Sequence, residues 1–498
     1  MIASNARSSP PLGTSGRLSE KHAPDRSAPL TPDLCIIGAG TAGLAVATAA
    51  AAFGVTVVLV ERDRMGGEIG SGAIAALTSA GARAQAIREA RRFGIAAGEP
   101  EVSDALLHDH VQRVLAARRP NVSAERLTAL GATVIHGDAR FVSRSTVTVG
   151  EQTIKARRFV VATGSRVDIP DIAGFADLPL LTDASLAVLT RRPQSLVVIG
   201  GSAAGVAIAQ ALGRLGSHVT LVESGTVLRD EDPEAVAILR RTLLREGVTL
   251  HENTQILRGE AIRGGLRLIL AGGEDRPEIV VEAAQGLIAG PRTPAIAGLD
   301  LELAGIASGP DGIRVDRGLR STNRRVYAIG DCAAGVPAGP ASAEGQARLV
   351  LRNALFRQSG RFEAAAIPCV TETHPAIAHV GLTEAEARAR GSLLVLRWPY
   401  AESDTAQALT ATDGFVKIVT DAKGRLLGAT IVGARAGELI ATWGLALATR
   451  RKVSDMAALP MPQPSLSDVS KRAATSFLTP LATKPGLRRL IGWLRRLG

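Results

Sequence analysis

Two carboxylates, Glu61 and Glu223, each stand 23 residues beyond the first glycine of a glycine-rich turn. The first turn reads Gly38-x-Gly40-x-x-Gly43 and the second Gly200-x-Ser202-x-x-Gly205. A turn without Cβ atoms lets backbone N–H groups approach a pyrophosphate at a helix N-terminus, and a carboxylate about 20 residues on accepts ribose hydroxyls. Each turn is preceded by an apolar run, Leu34–Ile37 and Leu196–Ile199, and each acid closes another, Val57–Val60 and Val219–Val222. One such turn is a weak signal; two complete units in register imply two dinucleotide sites. Farther on, Val326–Ile329 delivers Gly330-Asp331 to a turn, and Phe159–Ala162 ends in Thr163-Gly164-Ser165.

The surrounding pattern is α/β, with two Rossmann-like dinucleotide-binding domains followed by an α+β domain. Residues 1–32, rich in Ser, Pro, Gly and Arg without periodicity, read as a disordered leader. The first nucleotide domain is expected over 33–165, the second over 166–290, a return to the first over 291–365, and the α+β domain over 366–480. Residues 72–130 look mostly helical. Phe415–Thr420 and Leu427–Val432 form an expected hairpin around Asp421–Gly424, with a helix from Gly437. Leu34–Val60 carries no charge, but its glycines divide it into strand, turn, helix and strand rather than a membrane span.

The net charge of +11 suggests nucleic acid until it is located: Lys484, Arg488, Arg489, Arg495 and Arg496 supply nearly half of it. With few aromatic residues to stack bases, nucleic acid is not the expected partner. After Pro485-Gly486, the apolar residues Leu487, Leu490, Ile491, Trp493, Leu494 and Leu497 fall on one helical face and the arginines on the other. Two readings of residues 484–498 stay open: a basic helix lying on a membrane surface, or a terminal helix docked on its own dimer. Three scattered cysteines, Cys35, Cys332 and Cys369, give no disulfide framework and fit a reducing cytoplasm, so the expected location is cytoplasmic, with peripheral contact at the inner membrane face under the first reading. All three are expected to be structural. His218, His374 and His379 match no metal-ligand spacing, and no metal is expected.

With these motifs in place, the chain resembles the pyridine nucleotide-disulfide oxidoreductases, nearest the dihydrolipoamide dehydrogenase and mercuric reductase branch. The likeness runs over about residues 33–480 and includes Gly66-Gly67, Gly137-Asp138-Ala139-Arg140-Phe141, Val380-Gly381-Leu382-Thr383-Glu384 and Pro464-Ser465-Leu466-Ser467-Asp468. The resemblance implies FAD on Gly38, Gly40, Gly43, Glu61, Gly67, Ala139, Thr163, Gly164 and Asp331. It implies a nicotinamide dinucleotide on Gly200, Ser202, Gly205 and Glu223, with NADH expected and NADPH kept as an alternative. The last domain would make a homodimer.

The family's redox centre is absent from this sequence. Ile69 and Ala73 stand where its two cysteines belong, and Leu77 stands in place of its lysine. Ala207 replaces that lysine's glutamate partner, and Gln463 the acid–base histidine. Because thiol–disulfide exchange needs a thiolate, the expectation is an FAD-dependent NAD(P)H oxidoreductase that passes electrons from flavin directly to a small non-disulfide acceptor such as a quinone. Disulfide, lipoamide and mercuric reduction are expected to be absent. The alternative is a flavin-binding pseudoenzyme acting as a dimeric partner or scaffold without turnover.

Overall fold

The computed structural model describes residues 28–67, 70–272, 277–482 and 485–496. Residues 1–27 of the expected leader, and Ile69, lie outside the described residues. Backbone pairing begins earlier than expected: Leu30 donates to the Thr153 carbonyl and accepts from Lys155 N–H.

Two five-stranded parallel sheets share one plan. In the first, the order is Val326–Ala328, Arg158–Val161, Leu34–Ile37, Val57–Glu61, Thr133–His136. In the second it is Thr249–His251, His218–Val222, Ser195–Ile199, Gln285–Ile288, Leu180–Thr182. The strand before each glycine turn is therefore central, with neighbours on both sides, and the crevice at its carboxyl end is where such sheets bind ligands. These strands are buried on both faces, which is why they read as unbroken apolar runs. The uncharged stretch resolves into a strand at Leu34–Ile37, a helix at Thr41–Ala52 and a strand at Val57–Glu61. Among the described residues no helix is long and apolar enough to cross a membrane.

Helix Gly70–Glu89 of the first domain packs on helix Ala203–Arg214 of the second. Their backbones run so close that a Cβ on Gly81 would lie 2.9 Å from the Ala211 carbonyl oxygen. Leu77 and Ala207, at the positions of the resemblance's lysine–glutamate pair, are buried in this same apolar core. Hydrophobic packing at these two positions joins the two nucleotide domains.

The C-terminal sheet is antiparallel, ordered Cys369–Thr371, Ala376–Gly381, Leu426–Gly433, Phe415–Thr420, Leu394–Pro399. The expected hairpin is its core, and helix Ala436–Ala448 follows it. Polar ties bind this sheet to the second nucleotide domain. Lys417, 3 % exposed, reaches Asp232 at 2.7 Å, Glu234 at 2.7 Å and Glu384 at 3.2 Å. Asp232 is itself buried and caps helix Pro233–Arg245 by accepting from Glu234 N–H. Nearby, Arg214 pairs with Glu246 at 2.6 Å and donates to the His374 carbonyl.

Removing one member of a buried ion pair leaves its partner uncompensated, at about 3–5 kcal/mol. Lys417→Ala should therefore lower the free energy of chemical denaturation by about 3 kcal/mol or more. A loss below about 1 kcal/mol would place the cluster with ordinary surface ion pairs.

Candidate functional site

The first glycine turn is shaped by contact between backbones. A Cβ on Gly43 would run into the Gly38 carbonyl oxygen, and one on Gly38, where φ is +101°, into the Ala162 carbonyl oxygen. Glu61 then ties the turn down: its carboxylate accepts Ala39 N–H at 2.6 Å and Asp63 N–H at 2.8 Å. A second turn closes over the first, Gly66 N–H donating to the Ala39 carbonyl at 2.9 Å.

These turns open on a cavity of about 660 Å³. Gly38, Gly40, Glu61 and Gly67 line it from the first βαβ unit, Ala139 from the following hairpin, Thr163 and Gly164 from the end of the central sheet, and Asp331 from the return segment. Eight of the nine residues expected to hold FAD thus meet in one wall, while Gly43 packs beneath it. The interior fits such a group on two counts. A Cβ on Gly40, whose φ is an ordinary −70°, would touch nothing, so the space beside it is kept clear. The Thr163 hydroxyl oxygen is buried without a conventional hydrogen-bond partner, its neighbour being the weakly bonding Cys332 thiol.

Two residues here carried no motif. Ser165 donates to Asp331 Oδ2 at 2.7 Å, and Arg292 donates to Ser165 Oγ at 2.9 Å and pairs with Asp183 at 3.0 Å. Ser165 follows Thr163-Gly164 directly and was within reach of sequence reasoning. Arg292 arrives only because Arg292–Pro294 runs antiparallel to Ser165–Val167.

The second unit repeats the first. A Cβ on Gly205 would strike the Gly200 carbonyl oxygen. Glu223 accepts Gly201 N–H at 2.6 Å, Gly225 N–H at 3.0 Å and the Ser224 hydroxyl at 3.1 Å. Ser202 serves the helix that follows it, since its Oγ accepts Gly205 N–H at 3.2 Å and caps Ala203–Arg214. Arg229 and Asp230, at 3.7 Å, form an exposed pair.

The remaining positions lie elsewhere. Ala73 is buried on its helix, and Gln463 is exposed in the single chain and absent from the cavity wall. Cys35 is buried, which pushes its thiol up to about 12, and Cys332 is buried beside Asp331 with its thiol raised chiefly by desolvation. Cys369, expected to be structural like the others, is exposed instead, on the edge strand of the C-terminal sheet. Among the described residues no group of three His, Cys, Asp or Glu gathers as a metal set.

Comparison with known proteins gives the same fold a family. The family model described as pyridine nucleotide-disulphide oxidoreductase matches residues 32–348, and its dimerisation domain matches residues 367–474. A mercuric reductase of Streptomyces lividans is 32% identical over 463 residues, spanning 90% of this chain and 97% of that protein. A dihydrolipoyl dehydrogenase of Thermus scotoductus is 35% identical over 465 residues, spanning 90% and 97%. The crystal structure of LpdA from Mycobacterium tuberculosis superposes with a TM-score of 0.79 at 25% identity, covering 90% of this chain and 99% of that one. The chain belongs to the pyridine nucleotide-disulphide oxidoreductases, FAD-dependent enzymes that use NAD(P)H, and its dimerisation domain supports a homodimer.

These relatives overturn the expectation of a non-disulfide acceptor such as a quinone, and with it the scaffold without turnover. That expectation rested on side chains missing from a few positions. Such losses bear on where sulfur sits, whereas similarity over nine-tenths of the chain points to disulfide-type oxidoreductases.

The two glycines of the first turn should separate experimentally. Gly43→Ala overpacks the protein itself and should cost about 1–3 kcal/mol of stability. Gly40→Ala meets nothing and should leave flavin-free protein within about 0.5 kcal/mol of wild type. It should nonetheless weaken FAD by at least about tenfold in a fluorescence titration. Unchanged FAD affinity in Gly40→Ala would place the pyrophosphate elsewhere.

Proposed function

We propose that this enzyme uses NADH, held on the second glycine unit, to reduce a disulfide-bearing acceptor that brings its own sulfur pair, and that the first glycine unit would hold the FAD that supplies the redox chemistry. The carrying observation is the cavity that gathers Gly38, Gly40, Glu61, Thr163 and Asp331 from four separate stretches of chain. The description of the family, pyridine nucleotide-disulphide oxidoreductase, supports the acceptor class. The balance closes: hydride plus one solvent proton cleave the acceptor's S–S bond to two thiols, and NADH leaves as NAD⁺.

The chain's part is binding, orientation and exclusion, while FAD, when bound, supplies the redox chemistry. Gly38, Gly40 and Gly43 bring backbone N–H groups at a helix N-terminus to the pyrophosphate, and Gly67 closes over it. Glu61 keeps lone pairs for ribose hydroxyls. Asp331, oriented by Ser165, accepts another hydroxyl of the bound group, and Ala139, Thr163 and Gly164 complete the wall. In the second unit Gly200, Ser202 and Gly205 present the corresponding N-terminus. Ile69 and Ala73 have no sulfur to form the thiolate that disulfide exchange requires, which is why the sulfur must arrive with the acceptor.

Glu223 favours NADH over NADPH. A carboxylate has about four lone-pair sites, and three are occupied by Gly201, Gly225 and Ser224. One remains for a ribose 2′-OH, and the charge repels a 2′-phosphate. Glu223→Ala should weaken NADH by about tenfold and NADPH by less. The acceptor class is tested with dithiodipyridine, a neutral disulfide. Two thiols should appear for each NADH consumed, and NADH oxidation without thiol release would contradict the reading.

The C-terminal helix adds a surface contact. On Pro485–Leu494 the side chains of Leu490, Ile491, Trp493 and Leu494 are all about half exposed, beside Arg488 and Arg489. Leu497 and Lys484 lie outside the described residues. An uncovered apolar face flanked by arginines suits an anionic lipid surface on the cytoplasmic side. The holoenzyme should sediment with phosphatidylserine vesicles and be released by salt, and a form ending at residue 483 should not. Equal sedimentation of both forms would return this helix to a role within the dimer.

A further inference from the structure

A second cavity, of about 450 Å³, adjoins the first and shares Arg64, Gly66 and Val188 with its wall. It is a mixed pocket, of the size that holds small molecules. Met65, Leu115, Val122 and Ala187 provide an apolar floor, and Arg64, Arg118 and Arg119 stand around it. Three guanidiniums face one carboxylate, Glu125, which opens helix Ala124–Ala129. All three arginines are exposed, and among the described residues none of the three side chains has an ion-pair or hydrogen-bond partner. This contrasts with arginines elsewhere in the fold, such as Arg214 and Arg240, which are paired at 2.6 Å with Glu246 and Glu252.

The pocket's position gives it a use. Arg118 Nη1 lies 3.4 Å from where a Cβ on Gly72 would stand, one residue before Ala73 in the first turn of helix Gly70–Glu89. The opposite rim is fixed: Gln112 donates to the Ala187 carbonyl at 2.6 Å, holding helix Asp104–Arg118 to the segment that ends at Val188. A molecule seated on the apolar floor would have its anionic group among the arginines and its other end at the shared wall of Gly66.

We propose that this cavity is the acceptor subsite and that it selects small organic anions, a carboxylate on an apolar body, through Arg118 and Arg119 with Arg64 at the shared rim. A guanidinium matches a carboxylate with two parallel N–H donors, a geometry that a lysine does not reproduce. The proposal rests on the disulfide-acceptor reading and narrows it: the favoured disulfide carries a carboxylate. It requires no side chain at position 69 or 73 to react.

The test separates binding from turnover. Nitrobenzoate, which holds no disulfide, is titrated into the FAD-loaded enzyme by calorimetry. The wild type should bind it with an affinity that falls as salt rises. Arg118→Gln/Arg119→Gln should weaken it by at least about tenfold with flavin content unchanged. Arg119→Glu, a single reversal of charge at an exposed position, should act in the same direction. In steady state the ratio of kcat/KM for dithiobis(nitrobenzoate) to that for neutral dithiodipyridine should also drop by about tenfold or more in the double variant. Nitrobenzoate binding that is absent from the wild type, or equal in wild type and both variants, would overturn the subsite. Failure of the wild type to reduce either disulfide, with nitrobenzoate binding lost in the variants, would sink the acceptor class and leave the anion site standing.

Discussion

The close approach of backbone to backbone at two strand ends is the constraint on which the molecule is built. At Gly43 and again at Gly205 a single methyl group would collide with a carbonyl oxygen of the preceding turn. The helix that follows each turn can therefore start directly over the sheet, with its N–H groups aimed along the crevice. Each turn is held from the far side by an acid, Glu61 on Ala39 N–H and Glu223 on Gly201 N–H. The same carboxylates are the groups proposed to receive ribose hydroxyls, so one residue type would serve both the turn and the ligand. The remainder of the fold sets these two crevices in relation to each other and closes walls around them.

That relation depends on an apolar seam. Helices Gly70–Glu89 and Ala203–Arg214 meet through small side chains, with Leu77 and Ala207 where the family resemblance places a lysine and a glutamate. Burying an unpaired charge at such a seam would be costly, so loss of both partners together is the physically consistent change. Farther out, the Lys417–Asp232 pair and the Arg214 hydrogen bond to the His374 carbonyl tie the second nucleotide domain to the C-terminal domain. At Leu77 and Ala207 the seam holds the nucleotide domains together through apolar contacts. The neighbouring cavity has the opposite character, ringed by Arg64, Arg118 and Arg119, whose side chains have no ion-pair partner among the described residues.

How much of this was legible in the sequence follows from how local each feature is. The glycine turns, their acids and the strands between them lie within short spans, and their spacing carried them. The C-terminal hairpin declared itself by two largely apolar runs around a turn. Asp331 was legible through Gly330-Asp331 after an apolar strand, but its orientation by Ser165 and Arg292 was not, because those contacts span more than a hundred residues. The capping role of Ser202 was not legible, because a cap is invisible until the helix start is placed. The arginines of the second cavity carried no signal, since Arg118 and Arg119 look like any basic end of a helix until Gly66 and Val188 are folded against them. The acceptor was misread for a different reason: missing side chains at a handful of positions outweighed a resemblance that runs through nearly the whole chain.

On the proposed reading, electrons enter and leave through a single two-electron centre and the sulfur belongs to the acceptor. Anaerobic titration of the purified holoenzyme with dithionite, followed by flavin absorbance, counts that capacity directly. Full bleaching is expected after two electrons per FAD, with no long-wavelength thiolate–flavin band at any stage. Uptake of four electrons per FAD, or a charge-transfer band developing midway, would reveal a redox-active sulfur pair within the protein and contradict that reading.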